Sequence, residues 1–127
     1  MQLLGLGLDL CSIARMAALL EKHPRRLPER LLHVDELAHG PLTPVALAKK
    51  FAAKEAVAKA LGTGIGKRLS FQDIVVFHGR RAAPLVGLTP EAQLRFGQVQ
   101  FLLTLTQEGD TAAAAVLAWQ ERGDEPH

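Results

Sequence analysis

Glu55 and Lys59 stand four residues apart in the run FAAKEAVAKALGTGIG, residues 51–66, and Asp9 closes the alternating run LGLGLD at residues 4–9. Two carboxylates on rigid elements can hold a hard divalent cation, because Mg2+ takes one or two carboxylates and fills its remaining positions with substrate phosphates and water. At about 100° per residue, positions 48, 51, 52, 55 and 59 fall within a third of a helix circumference. Glu55 and Lys59 therefore share a face with Ala48, Phe51 and Ala52, a face expected to be partly covered. Lys50 and Lys54 fall on a separate, solvent-like face with no acid beside them. Taken alone, Glu55 and Lys59 form an ordinary i, i+4 ion pair, contributing a few tenths of a kcal/mol. Taken alone, Asp9 is a turn or capping residue between a strand and a helix. The cation-site reading depends on the fold bringing the two acids together.

Gly62, Gly64 and Gly66 surround Thr63 just after the helix pair, and glycines there allow backbone amides to turn toward an anion. Lys59, Lys67 and Arg68 add charge nearby. The loop trails its helix, so it is neither a Walker loop nor a dinucleotide-binding turn. A plain helix stop explains it equally well.

The elements that must carry these residues are legible from periodicity. Leu4, Leu6, Leu8 and Leu10 alternate with Gly5, Gly7 and Asp9, which predicts a strand with one apolar and one nearly bare face. A bare face lets another backbone or a ligand come close. A helix is expected from Ser12 as N-cap, with Ile13, Met16, Ala17 and Leu20 at helical spacing, until His23-Pro24 stops it. Its outer face and exit carry Arg15, Lys22, Arg25 and Arg26. One or two short helices fit residues 27–40. Thr43-Pro44 then opens a long helix to Leu61, capped by Gly62. Strands are expected at 71–77 and 85–88 around a polar, basic turn at 78–84, and a brief helix follows Thr89-Pro90 to Phe96. Strands at 99–106 and 111–119 flank Gly109-Asp110, the best hairpin signal in the chain. Hairpin-linked strands with the longest helix set apart from them predict an α+β fold. Residues 1–120 read as a single domain and 121–127 as a disordered tail.

With 127 residues, 48% hydrophobic and 22% charged, the composition fits one compact domain. No apolar run reaches membrane-spanning length, and the leucine-rich start carries Asp9 and no basic leader, so a cytoplasmic protein with no membrane partner is expected. Cys11 is the sole cysteine, which excludes an internal disulfide and reads as a small buried residue. A net charge of +2 and the absence of tyrosine argue against nucleic acid as a partner. The five histidines lack metal-ligand spacing.

GLGLDL at 5–10 with Arg15, FAAKEAVAKALGTGIG and LSFQDIVV at 69–76 together resemble the holo-acyl-carrier-protein synthases, the small bacterial type of 4′-phosphopantetheinyl transferase. The likeness runs from Leu4 to Leu117. It implies an antiparallel sheet packed with one long helix and shorter helices. It also implies transfer of 4′-phosphopantetheine from coenzyme A to a serine of apo acyl carrier protein in fatty acid biosynthesis. Mg2+ would be required, adenosine 3′,5′-bisphosphate released, and the active site would lie between adjacent subunits of a homotrimer. Matched residue by residue, Asp9 and Glu55 are the metal ligands, and Lys59 is the cation near the transferred phosphate. Glu55, directly or through a metal-bound water, is the base. Lys50, Phe51, Gly62, Thr63, Gly64, Thr106 and Gln107 join Lys59 in holding coenzyme A, and Arg15, Lys22 and Arg25 meet the carrier's acidic helix. Two places depart from the family pattern. Lys50 stands where many relatives have arginine, which loses bidentate geometry. TLTQEG at 104–109 replaces S-x-S-H-T, with Thr104 and Thr106 for the serines, Gln107 for the histidine and Glu108 for the threonine. Gln107 donates a hydrogen bond but carries no charge, so affinity for phosphate would be weaker or borrowed from Lys67, Arg68 or Arg80. The competing readings are a carrier-binding module without turnover and an unrelated Mg2+ nucleotide enzyme.

Overall fold

Three hydroxyls start three of the helices. In a computed structural model of the chain, which describes residues 1–40, 42–79 and 83–126, Ser12 accepts from the Arg15 amide at 3.1 Å, Thr43 from Ala46 at 3.1 Å and Thr89 from Ala92 at 3.3 Å. Each satisfies an amide that has no partner inside its helix. They open α1 (Ile13–Lys22), α4 (Pro44–Ala60) and α5 (Pro90–Phe96), the latter two with proline in the first turn. The short helices α2 (Arg26–Leu31) and α3 (Val34–His39) fill the expected 27–40 stretch. The strands are β1 (Gln2–Ser12), β2 (Ile74–His78), β3 (Pro84–Leu88), β4 (Gln100–Glu108) and β5 (Thr111–Gln120). The first three residues of the expected 71–77 strand form a 3-10 turn, Phe71–Asp73, because Ser70 and Asp73 exchange capping hydrogen bonds there.

β1, β5 and β4 form one antiparallel sheet in that order, and β2 pairs with β3 in a separate ribbon. Asp9 pairs with Ala114, which pairs in turn with Leu105. The long helix α4 lies on the face that carries Gly5, Gly7 and Asp9. A Cβ on Gly7 would stand 1.8 Å from the Ala56 carbonyl oxygen, and one on Gly5 2.1 Å from that of Ala60. The bare face therefore serves the approach of a helix backbone. Beside it on the same side of the sheet, Ala112, Ala114, Val116 and Ala118 of β5 are buried against α4's alanines, so small side chains on both elements keep the layers close. The apolar face of β1 turns outward. Leu6, Leu8 and Leu10 remain 73%, 61% and 63% exposed, and Leu102 of β4 joins them at 61%.

The solvent face expected for Lys50 and Lys54 does not exist. Lys54 is fully buried and its ammonium donates to Glu36 of α3 at 2.5 Å, to the Leu31 carbonyl at 2.7 Å and to the Phe71 carbonyl at 2.9 Å. An acid does stand beside both lysines, supplied by another helix 14 residues before Lys50. Burial pulls the Lys54 ammonium down to about 8, with the Glu36 charge and hydrogen bond opposing. Residues 121–126 fold back so that the Asp124 carbonyl accepts from the Gln98 amide at 2.9 Å and from the Gln120 side chain at 3.3 Å.

Candidate active site

The close approach of α4 to β1 is what assembles the reactive groups. Lys59, in the last turn of α4, donates to the Asp9 carboxylate at 2.9 Å and to the Leu8 carbonyl at 3.0 Å. Glu55, one turn earlier and half-buried, lies near enough to both for their charges to act on it. Burial pushes its carboxyl up from the ordinary 4.5, Asp9's charge adds to the rise, and Lys59 opposes it. Asp9 thus meets Glu55 and Lys59, which lie about 50 residues further along the sequence. Asp9 is not a capping residue. That role belongs to Ser12 and to Asp110, the hairpin-turn residue, whose carboxylate accepts from the Ala14 amide at 2.7 Å and from the Ser12 hydroxyl at 2.6 Å. These bonds, the Ser12 hydroxyl first, hold the Asp110 carboxyl below its usual range.

The donor set suits a small hard cation. Among the described residues no cluster of three or more His, Cys, Asp and Glu side chains forms, so Asp9 and Glu55 offer two carboxylates and leave the other positions to substrate oxygens and water. Burial first and the Asp9 charge second raise the Glu55 carboxyl, and a divalent ion between the two acids would offset both.

The other expected site residues are divided. Phe51 sits on the Glu55 side of α4 with its ring 5.5 Å from that of Phe71. Four amides of the glycine loop are engaged within the chain. Those of Gly62, Thr63 and Gly64 donate to the Lys59 and Ala58 carbonyls, and that of Gly66 to Leu69, so the loop is a helix stop with Gly62 and Gly64 at positive φ. Open space flanks all three glycines, which leaves room for a ligand beside them. Thr106 and Gln107 are exposed on β4. Thr106 shares the outer sheet face with Leu10 through Ala113, and Gln107 shares the inner one with Cys11 through Ala112. Arg68 lies over the Phe96 ring at 5.0 Å, while Arg80 lies outside the described residues.

Lys50 lines a cavity of about 830 Å³ bounded by α3, the start of α4 and β2, into which Asp9, Glu55 and Lys59 do not reach. Nine residues separate it from Lys59, which turns it half-way round α4. Its ammonium donates to Glu36 at 3.2 Å and to the Val76 carbonyl at 3.3 Å. Glu36 escaped sequence reasoning. The available signal was its place in His33-Val-Asp-Glu36, a capping box in which His33 and Glu36 each accept from the other's turn, which fixes the side chain inward.

Arg15, Lys22 and Arg25 are all exposed along α1 and the entry to α2. Arg25 makes only a loose pair with Glu29 at 3.8 Å. Beside them a cleft of about 590 Å³ is lined by Leu19, Leu27, His23, Arg26, Arg30, Glu29 and Gln72. That gives the basic face an apolar seam.

Residues 5–116 match the model of the 4′-phosphopantetheinyl transferase superfamily. The chain is 44% identical to a holo-[acyl-carrier-protein] synthase of Alkalilimnicola ehrlichii over 122 residues, 91% of this chain and 95% of that protein. Among solved structures, the Helicobacter pylori holo-[acyl-carrier-protein] synthase in complex with coenzyme A superposes with a TM-score of 0.80 at 31% identity, covering 90% of this chain and 99% of the other. The Bacillus anthracis synthase in complex with coenzyme A (3′,5′-ADP) gives a TM-score of 0.76 at 31% identity over 93% and 97%.

Proposed function

This chain belongs to the holo-[acyl-carrier-protein] synthases of the 4′-phosphopantetheinyl transferase superfamily, which move phosphopantetheine from coenzyme A to apo acyl carrier protein, and we propose that it does so with Asp9 and Glu55 as Mg2+ ligands. The observation that carries this reading is the convergence of Asp9, Glu55 and Lys59 across the glycine face of β1. In the reaction, the carrier serine oxygen bonds to the phosphorus bearing the pantetheine arm. The diphosphate P–O bond breaks, and adenosine 3′,5′-bisphosphate leaves with the electron pair. Mg2+ held by Asp9 and Glu55 would supply neutralisation of the diphosphate. Lys59, half-exposed, turns its ammonium to the transferred phosphate as negative charge shifts to the leaving oxygen. Glu55 takes the serine proton on a carboxylate oxygen that the ion leaves free.

Coenzyme A is held between subunits of a homotrimer. Two observations support this. The outward leucines of β1 and β4 form an exposed apolar face on a sheet, of the kind that marks an interface. Lys50 and its cavity lie on the far side of α4 from Lys59, so a second copy of the chain is what would let one coenzyme A meet both kinds of ammonium. Arg15, Lys22 and Arg25 present positive charge to the acidic carrier and steer the encounter. The setting is the cytoplasm, with no lipid or nucleic acid required. No helix among the described residues is long and apolar enough to cross a membrane.

The test is direct. Protein, Mg2+, coenzyme A and apo carrier are mixed, and mass spectrometry follows the phosphopantetheine adduct on the carrier. Glu55→Gln and Asp9→Asn should each abolish most turnover and Mg2+ dependence. Variants that load the carrier as fast as the parent would remove the metal assignment, and carrier binding without loading would make the protein a docking module.

A further inference from the structure

Glu36 has a side chain only 1% exposed, and both its oxygens are fully engaged. One oxygen accepts from Lys54 at 2.5 Å and from the His33 amide at 2.9 Å. The other accepts from Lys50 at 3.2 Å and from the Val76 amide at 3.3 Å. A single carboxylate thus pins α3, α4 and β2 together. The two ammonium groups it binds differ in what they have left. An ammonium carries three N–H donors. On Lys54 all three are taken, by Glu36, Leu31 and Phe71, and none remains for a ligand. On Lys50, Glu36 and the Val76 carbonyl take two. The third has no partner among the described residues, on a side chain that is 15% exposed and lines the large cavity along with Lys49, His39, His78 and Asp35. Two ammonium charges against one carboxylate leave one net positive charge, and of the two lysines it is Lys50 that lines the cavity.

We propose that Glu36 is a positioning residue for coenzyme A, which anchors Lys50 so that its remaining N–H is presented in the cavity to a phosphate of the substrate. The inference rests on the reading of Lys50 as a coenzyme A contact. It also gives a reason why a lysine can stand here without the fork of an arginine: its direction is fixed from behind by an acid and a carbonyl.

Charge and position predict opposite outcomes for one substitution. Glu36→Gln makes the group more positive, so charge alone would tighten an anion. Loss of the anchor would loosen it. The full-length protein is assayed for the KM of coenzyme A and for coenzyme A binding by calorimetry. The expected result for Glu36→Gln is a rise in KM and Kd on the order of tenfold, the loss of one charge-assisted hydrogen bond. kcat should stay within about a factor of two, since a lost ground-state contact acts on KM. Lys50→Met should show the same rise, and Glu36→Gln added to Lys50→Met should raise KM no further. Because Glu36→Gln leaves the Lys54 ammonium buried without its acid, the comparison is repeated in a Lys54→Met background, where an apolar chain replaces that ammonium and melting curves monitor the fold. Unchanged or tighter binding in Glu36→Gln overturns the proposal, as does a loss that persists undiminished when Lys50 is already Met. If Lys50→Met alone leaves binding intact, the underlying reading of Lys50 fails and the proposal falls with it.

Discussion

Replacing Gly7 by alanine should disable the protein through one methyl group placed against a helix backbone. The added Cβ would stand 1.8 Å from the Ala56 carbonyl oxygen, 2.7 Å from its carbon and 3.0 Å from the Ala60 nitrogen. None of these belongs to a side chain that can rotate away. To restore even a tight contact, α4 must back off β1 by about 1 Å, since overlap on a steep repulsive wall cannot be absorbed in place. Lys59 reaches Asp9 and the Leu8 carbonyl across that gap at 2.9 and 3.0 Å, and Glu55 rides on the same segment. A displacement of this size breaks both bonds and separates the two carboxylates. Misplacement of reacting groups by about 1 Å lowers rates on the order of a hundredfold, and overpacking of this kind costs about 3 kcal/mol of stability. For a domain of this size that lowers Tm by roughly 10 °C. The assay is carrier loading by mass spectrometry at a temperature where circular dichroism shows the variant folded, with a melting curve at the same protomer concentration. Gly62→Ala is not a suitable control because Gly62 has a φ of 79°, whereas Gly87, with open space around it, is. Full activity in Gly7→Ala with Tm unchanged would refute the claim that close approach of backbones assembles the site.

The raised carboxyl of Glu55 makes a pH prediction. Because burial and then Asp9 lift it above 4.5, folding is favoured while Glu55 is protonated, and that contribution is lost as pH rises from 4.5 through the elevated value. A carbon-13 titration of Glu55 should place its midpoint above 4.5 without metal and lower it when Mg2+ is added, and a midpoint at or below 4.5 in metal-free protein would contradict the geometry. Leu8→Glu, on the outward face of the sheet, should split the assembly, so that sedimentation reads single 13.7 kDa chains instead of three together. A parent protein that already sediments as a monomer would end the trimer reading. Reversing Arg15 and Arg25 to glutamate should slow carrier association strongly at low salt and only weakly at high salt, because exposed charges act within a screening length of about 10 Å. Equal rates at both salts would take the docking role from α1.

Why some of this was legible in the sequence and some was not follows from the range of the interactions involved. Helix starts at Ser12, Thr43 and Thr89 were readable because a cap is settled within three residues, and the hairpin at Gly109-Asp110 because a two-residue turn is local. The side of α4 that carries Phe51, Glu55 and Lys59 followed from helical spacing, and the bare Gly5/Gly7 face announced a close neighbour without saying which. The helix-period argument failed at Lys54, because helical spacing says which residues share a face but nothing of what covers it. An acid on α3 converted that face from solvent to core. The same limit explains Asp110, read as a turn residue though it also caps α1 from a position 96 residues away from Ala14. It explains the glycine loop as well, since whether an amide faces an anion or its own helix depends on backbone direction. Local chemistry thus nominates groups, and long-range packing decides which of them keep a free bond. By that criterion Lys54, with every donor taken, is a support, while Lys50, with one left among the described residues, and Lys59, half-exposed beside Asp9, are ammonium groups still able to meet a substrate.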